Sequence, residues 1–133
     1  MGFAIGQLVD TQDGTLLLPR LYLAADFWHR FRGLQLHRPL EEDEGLLLYP
    51  CRSVHTCFLR FSLDLHFFAR DGRWLGEQLN VRPFRASAGV RDAAIVIETS
   101  SRCGRRFRPD RPIQVALNSA YSRHLPAELL RQS

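Results

Sequence analysis

The sequence predicts a mainly-β fold, a compact jelly-roll-like β-sandwich or partly closed barrel with two or three short helices. Three observations point there. Six to eight short runs of β-forming residues recur along the chain, and turn signals such as Asp13-Gly14 and Asp71-Gly72 divide them. Most gaps between the runs are too short for the crossover helices of a βαβ fold. The 133 residues are 45% hydrophobic and 24% charged, which suits one self-sufficient globular core. No repeat, low-complexity tract or composition break marks a linker, so residues 1–133 read as a single domain.

The elements follow in order. Phe3 to Val9 is the first strand signal, closed by the turn at Asp13-Gly14. Thr15 to Leu18 and Leu21 to Leu23 suit a short second strand, with Pro19 placing an edge or a break there. The period then changes: Phe27, Phe31 and Leu34 recur at helical spacing, with Asp26 at the N-cap and Gly33 at the C-terminal cap, which predicts one short amphipathic helix. After the acidic loop "RPLEEDEG", strands are expected at Leu46 to Tyr49, Ser53 to Phe58, Leu63 to Phe68, Arg73 to Leu79, Ala94 to Glu98 and Ile113 to Leu117. The segment "TSSRCGRRFRPD" has room for one helical turn before a loop. A last short helix, Ala127 to Arg131, is expected behind Pro126.

Charge and targeting signals exclude several functional classes. The formal charge is +4, and all 18 basic residues are arginine, a bias that points to a GC-rich genome rather than to one basic surface. A modest charge without a reading motif gives no ground for nucleic-acid binding. No stretch approaches the ~20 apolar residues of a membrane span. The N-terminus "MGFAIGQLVD" lacks a basic n-region, so a cytoplasmic location is expected. Three cysteines, an odd number, fit free thiols in a reducing compartment.

The stretch "CRSVHTC", Cys51 to Cys57, carries the densest chemistry. On a strand His55 and Cys57 share a face, as do Asp64 and His66 on the next strand, so paired strands would gather all four. C-x3-H-x-C has no matching second half, and Cys103 lies far off, so no metal site is expected. Glycine-containing stretches form no phosphate loop or dinucleotide fingerprint, so no cofactor is expected. Asp64, between Leu63 and Leu65, and Glu98, closing "AIVIE", are carboxylates set among apolar residues; if buried, each must find donors. Arg60, Arg82 and Arg85 are candidate partners for Asp64. In "RCGRRFRPDR" the arginines surround Phe107, which invites an anion patch with Phe107 as a stacking platform, but the arginine bias of the whole chain favours a solvated loop.

Three pieces in order, "HRFRGLQLHRPLEEDEGLLLYP", "CRSVHTCFLRFSLDLHFFARDGR" and "LNVRPFRASAGVRDAAIVIET", resemble a bacterial and archaeal family known as domain of unknown function 192. The family-like core they mark is about residues 25 to 117. Ser53-Val54-His55-Thr56, Leu59-Arg60-Phe61 and Leu63-Asp64 are the most specific part. The resemblance implies a mainly-β, jelly-roll-like domain and no established activity; some relatives look to be exported or encoded beside pilus-assembly genes. Gln35, Cys57, Ser62, Phe84, Ser100-Ser101 and Pro109-Asp110 depart from the family pattern and mark a divergent member.

The functional expectation is a non-catalytic binding or accessory module, its ligand a small molecule or a protein. The candidate site is a polar patch on the central strands: His55, Thr56, Arg60, Asp64 and Glu98. One alternative is a small enzyme using His55 with Asp64 as an acid/base pair, or Cys57 as a thiol nucleophile. Another is an accessory partner of a pilus or secretion assembly.

Overall fold

The computed structural model describes residues 6–23, 40–50, 62–82, 89–117 and 125–131. They build one seven-stranded sheet: β1 (Gly6–Asp10), β2 (Leu16–Leu23), β3 (Glu44–Leu48), β4 (Leu63–Phe68), β5 (Trp74–Val81), β6 (Ile95–Ser100) and β7 (Ile113–Leu117). Their order across the sheet is β5-β4-β6-β3-β2-β1-β7. The mainly-β expectation holds, and the sheet is not closed into a barrel.

Two hairpins follow their turn signals. Gly14 takes φ +73° between β1 and β2, where the Asp10 carbonyl accepts the Gly14 N–H at 2.8 Å and the Asp13 carboxylate accepts the Thr15 N–H at 2.9 Å. Gly72 takes φ +93° between β4 and β5. A side chain there would also meet the Ile113 carbonyl oxygen at 2.1 Å, so both backbone and space demand glycine.

Pro19 does not break the second strand. β2 runs unbroken through it, and the slack is taken up by irregular pairing with β1 on both sides of Leu18. Pairing with β3 starts only at Arg20, beyond the proline, so its missing N–H interrupts no ladder there. β2 and β3 run parallel, while the other pairings are antiparallel. A parallel pair needs a long crossover, and residues 24–43 supply it.

Alternation sorts side chains onto two faces. Leu47, Phe68, Ile95, Ile97, Ile113 and Val115 belong to one apolar cluster, to which Phe107, Leu125 and Leu129 add. Leu46, Leu48, Leu63, Leu65, Phe67 and Val96 form a second cluster on the opposite face. The first draws on strands near both ends of the order, and the Ile113 N–H donates to the Gly72 carbonyl at 3.0 Å. The sheet therefore curls around this inner face, and the second cluster lies on the outer face.

Among the described residues the one helix is a 3-10 turn, Ala127–Leu129, behind Pro126; it is shorter than expected because Leu130 bridges to Val115. The expected helix around residues 26–33 and the expected strand at 53–58 lie outside the described residues. After β6 one turn closes where the Cys103 N–H donates to the Ser100 carbonyl at 2.9 Å, and a second where the Arg111 N–H donates to the Arg108 carbonyl at 3.1 Å, with irregular chain between them.

Candidate functional site

The central strands β3, β6 and β4 carry the buried polar side chains. Register decides which of them meet. Leu46 pairs with Glu98, which pairs with Leu65, so Glu98 lies on the outer face between two leucines. It is fully buried, and burial pushes its carboxyl up to about 8. At neutral pH it is protonated, and a protonated carboxyl both donates and accepts hydrogen bonds.

Glu44 shares that face and is also fully buried. Its carboxylate accepts the Tyr22 hydroxyl at 2.5 Å and the Glu41 N–H at 2.7 Å, and the Arg20 guanidinium stands 3.4 Å away. Arg20 in turn holds Asp43 at 2.6 Å, and that contact keeps the Asp43 carboxyl below its ordinary value. These partners occupy Glu44 in tying the start of β3 to β2. The outer face thus carries one neutral carboxyl at its centre and, at its margin, a carboxylate held by Tyr22, the Glu41 N–H and Arg20.

Asp64 faces the other way. It pairs with Thr99, lies on the inner face and is 3% exposed, not solvated. Its Oδ1 accepts the Asn80 N–H at 2.7 Å. Asn80 has φ +53°, and it sits where β5 carries one more residue than β4 between the pairs Leu63–Val81 and Leu65–Gln78. Asp64 therefore satisfies the backbone of a β-bulge in a left-handed conformation.

His66, two residues on, shares the inner face and is fully buried. Its Nε2 lies 3.1 Å from Thr99 Oγ1, and its Nδ1 stands 3.7 Å from Glu77 Oε1, too far for a hydrogen bond. Phe107 packs edge-on against it, with ring centroids 4.8 Å apart. Burial, and then the nearby charge of Arg106, push the imidazole down to about 4, so it is neutral at pH 7.

Of the expected patch, the structure sets Asp64 and Glu98 back to back on opposite faces. The two carboxylates cannot act on one bound molecule from the same side of the sheet. Asp64 and His66 do share a face, as alternation predicts. His55, Thr56 and Arg60, along with Cys51 and Cys57, lie outside the described residues. Cys103 is a half-buried free thiol. Among the described residues, no three His, Cys, Asp or Glu side chains are grouped to hold a metal ion. No helix among them is long and apolar enough to cross a membrane.

Phe107 is no stacking platform. It is 7% exposed, packed edge-on to both His66 and Phe68, because an aromatic ring gains more from the inner cluster than from solvent. Sequence reasoning also passed over Glu44 and Tyr22. Glu44 stands in the acidic run "EEDE" and reads as loop; the usable signal was that Arg20 and Tyr22 alternate onto one face of β2.

The family model of domain of unknown function 192 (DUF192), described as an uncharacterized ACR, matches residues 8–107. Among solved structures, a protein of unknown function from Novosphingobium aromaticivorans DSM 12444 is 20% identical over 83% of this chain and 84% of its own, with TM-score 0.62. A protein from Sinorhizobium meliloti 1021, provisionally designated a transcription regulator, is 23% identical over 86% of this chain and 96% of its own, with TM-score 0.63. At those identities the likeness is one of fold. No curated protein matches the chain.

Proposed function

The chain belongs to the DUF192 family, and from that premise we propose that it is a non-catalytic binding or accessory module whose ligand face is the outer face centred on Glu98. One observation carries the reading: a fully buried, protonated carboxyl stands mid-sheet between Leu46 and Leu65. A neutral carboxyl buried beneath that face repels no charge, which suits a neutral partner such as an amide or a hydroxyl. Acid/base catalysis needs a second titratable group within reach of the same atom. Asp64 is on the other face, and Glu44 is engaged by Tyr22, the Glu41 N–H and Arg20. His55, Thr56 and Arg60 are the candidates to complete the patch, Asp64 acting through the bulge it holds. The reading places the module in the cytoplasm, with a small molecule or a protein segment as partner and no nucleic acid.

Titration of 15N-labelled protein with a panel of neutral amides, polyols and short peptides tests this. Saturable shifts at Leu46, Leu65 and Glu98 are expected, with the ligand recovered unchanged. Glu98→Gln should retain binding, and Glu98→Leu should lose it. Conversion of any ligand, or shifts confined to other strands, would overturn the reading.

A further inference from the structure

A cleft of about 230 Å³ lies between the β1–β2 hairpin and the arginine-rich loop. Asp10 and Thr15 line one side, and Arg106, Arg108 and Arg111 the other, with Phe107 between them. Guanidinium groups sharing so small a space repel unless neutralised. Two of them are. Arg111 pairs with Asp10 at 2.6 Å and Asp13 at 2.9 Å, and its hydrogen bond holds the Asp10 carboxyl below its ordinary value. Arg108 engages both oxygens of Asp110, at 3.1 and 3.3 Å.

Arg106 differs. Its guanidinium donates only to the Arg105 carbonyl, at 3.3 Å, and among the described residues no carboxylate reaches it. Its charge is felt instead by His66 beneath Phe107. An adjoining cleft also has Arg106 in its wall, but Glu42 and Asp43 line that side. The hairpin side is where a negative ligand meets an arginine whose charge no carboxylate among the described residues cancels.

We propose that this cleft binds a phosphate-class oxyanion, free phosphate or the terminal group of a small monoester, with Arg106 as its charge partner. Arg108 and Arg111, held in place by their own aspartates, flank the site, and Thr15 also lines it. The site is on the inner-face side of the sheet and does not depend on the Glu98 reading. The volume has room for a phosphate and a few attached atoms.

The test is titration of the full chain with inorganic phosphate, and separately with phenyl phosphate, followed by calorimetry and by NMR. Saturable binding that weakens with added salt is expected, with shifts at Thr15 and at residues 106–111. Saturation should also raise the pH at which His66 titrates, because the anion offsets the charge of Arg106. Arg106→Gln should weaken binding by at least about tenfold, the cost of losing one charge-assisted contact. Arg106→Lys should keep most of it, and Arg70→Gln, remote from the cleft, all of it. Tighter binding of phenyl phosphate would identify a monoester as the ligand, and tighter binding of inorganic phosphate the free ion. Failure of both to bind, or equal binding by Arg106→Gln, would overturn the proposal. Should Arg106→Gln not fold, wild-type shifts lying away from Thr15 and 106–111 would overturn it as well.

Discussion

Glu98 and His66 sit one residue out of step on neighbouring strands, and that single step puts them on opposite faces of the sheet. Each is fully buried and each is neutral at pH 7, but they reach neutrality from opposite directions. Glu98 keeps a proton that a solvated carboxylate would lose; His66 refuses one that a solvated imidazole would accept below pH 6.5. The inner face gives its polar groups specific partners: Thr99 beside His66, and the Asn80 N–H on Asp64. On the outer face Leu46 and Leu65 flank Glu98 across the strands. Desolvation therefore acts on both faces, and its sign depends only on which protonation state carries the charge.

The pH dependence of stability follows from this. Glu98 is raised in the folded state, so its stabilising contribution is complete below pH 4.5 and is lost as pH rises to about 8. His66 is lowered, so its contribution is present above pH 6.5 and is lost as pH falls to about 4. Between about pH 4.5 and 6.5 the two trends oppose, and these two groups together leave a plateau. Above it Glu98 alone tilts the curve downward.

The largest effects come from the apolar packing on either face. Phe67 and Phe68 are adjacent, fully buried and on opposite faces. Phe67→Ala and Phe68→Ala should each lose about 3–5 kcal/mol in urea unfolding. A cost below about 1 kcal/mol for Phe67→Ala alone would mean that the outer face is not a packed core, and the comparison would fail.

Next in size is Glu98→Gln. The neutral isostere removes the loss with rising pH, so between pH 4.5 and 9 the variant should gain on the wild type by on the order of 4 kcal/mol, about half of it above pH 6.5, where the wild type falls. Parallel curves would show that Glu98 is ionised in the fold. On the acid side His66→Gln removes the opposing trend, so as pH falls from 6.5 to 4 the variant should gain on the wild type by on the order of 3 kcal/mol in chemical denaturation. The smallest of these effects belongs to the bulge. Asp64→Ala leaves the Asn80 N–H without its acceptor and should cost about 1–3 kcal/mol. Slowed amide exchange at Asn80 in that variant would show that the bulge does not need Asp64.

The strands were readable from composition because each is a short β-rich run between turn residues, and Asp13-Gly14 and Asp71-Gly72 turn the chain where they stand. What could not be read was register. Whether Asp64 and Glu98 share a face depends on Leu65, not Asp64, pairing with Glu98; a slip of one residue would have put both carboxylates together. That choice is made by apolar residues on three strands at once, which no local pattern contains. The parallel β2–β3 pair was hidden for a related reason, since its partners are joined only through residues 24–43. Pro19 suggested a break because its conformational rule is local, whereas the irregular pairing that accommodates it comes from β1. The arginine loop was read by its charge, and Phe107 within it answered to its area instead.

The pairing of β1 with β7 also governs how the molecule can assemble. Gly6 meets Leu117, and Asp10 meets Ile113, so one of the earliest strands completes its ladder against one of the last. Closing so long a loop costs entropy before any contact repays it, which places folding in the slow, millisecond-to-second range of non-local β proteins. During synthesis the outer edge of β1 waits for β7 until Ile113–Leu117 has emerged. Until then the β1–β2 hairpin presents an open hydrogen-bonding edge, and that interval is when the chain is most exposed to pairing with the wrong partner.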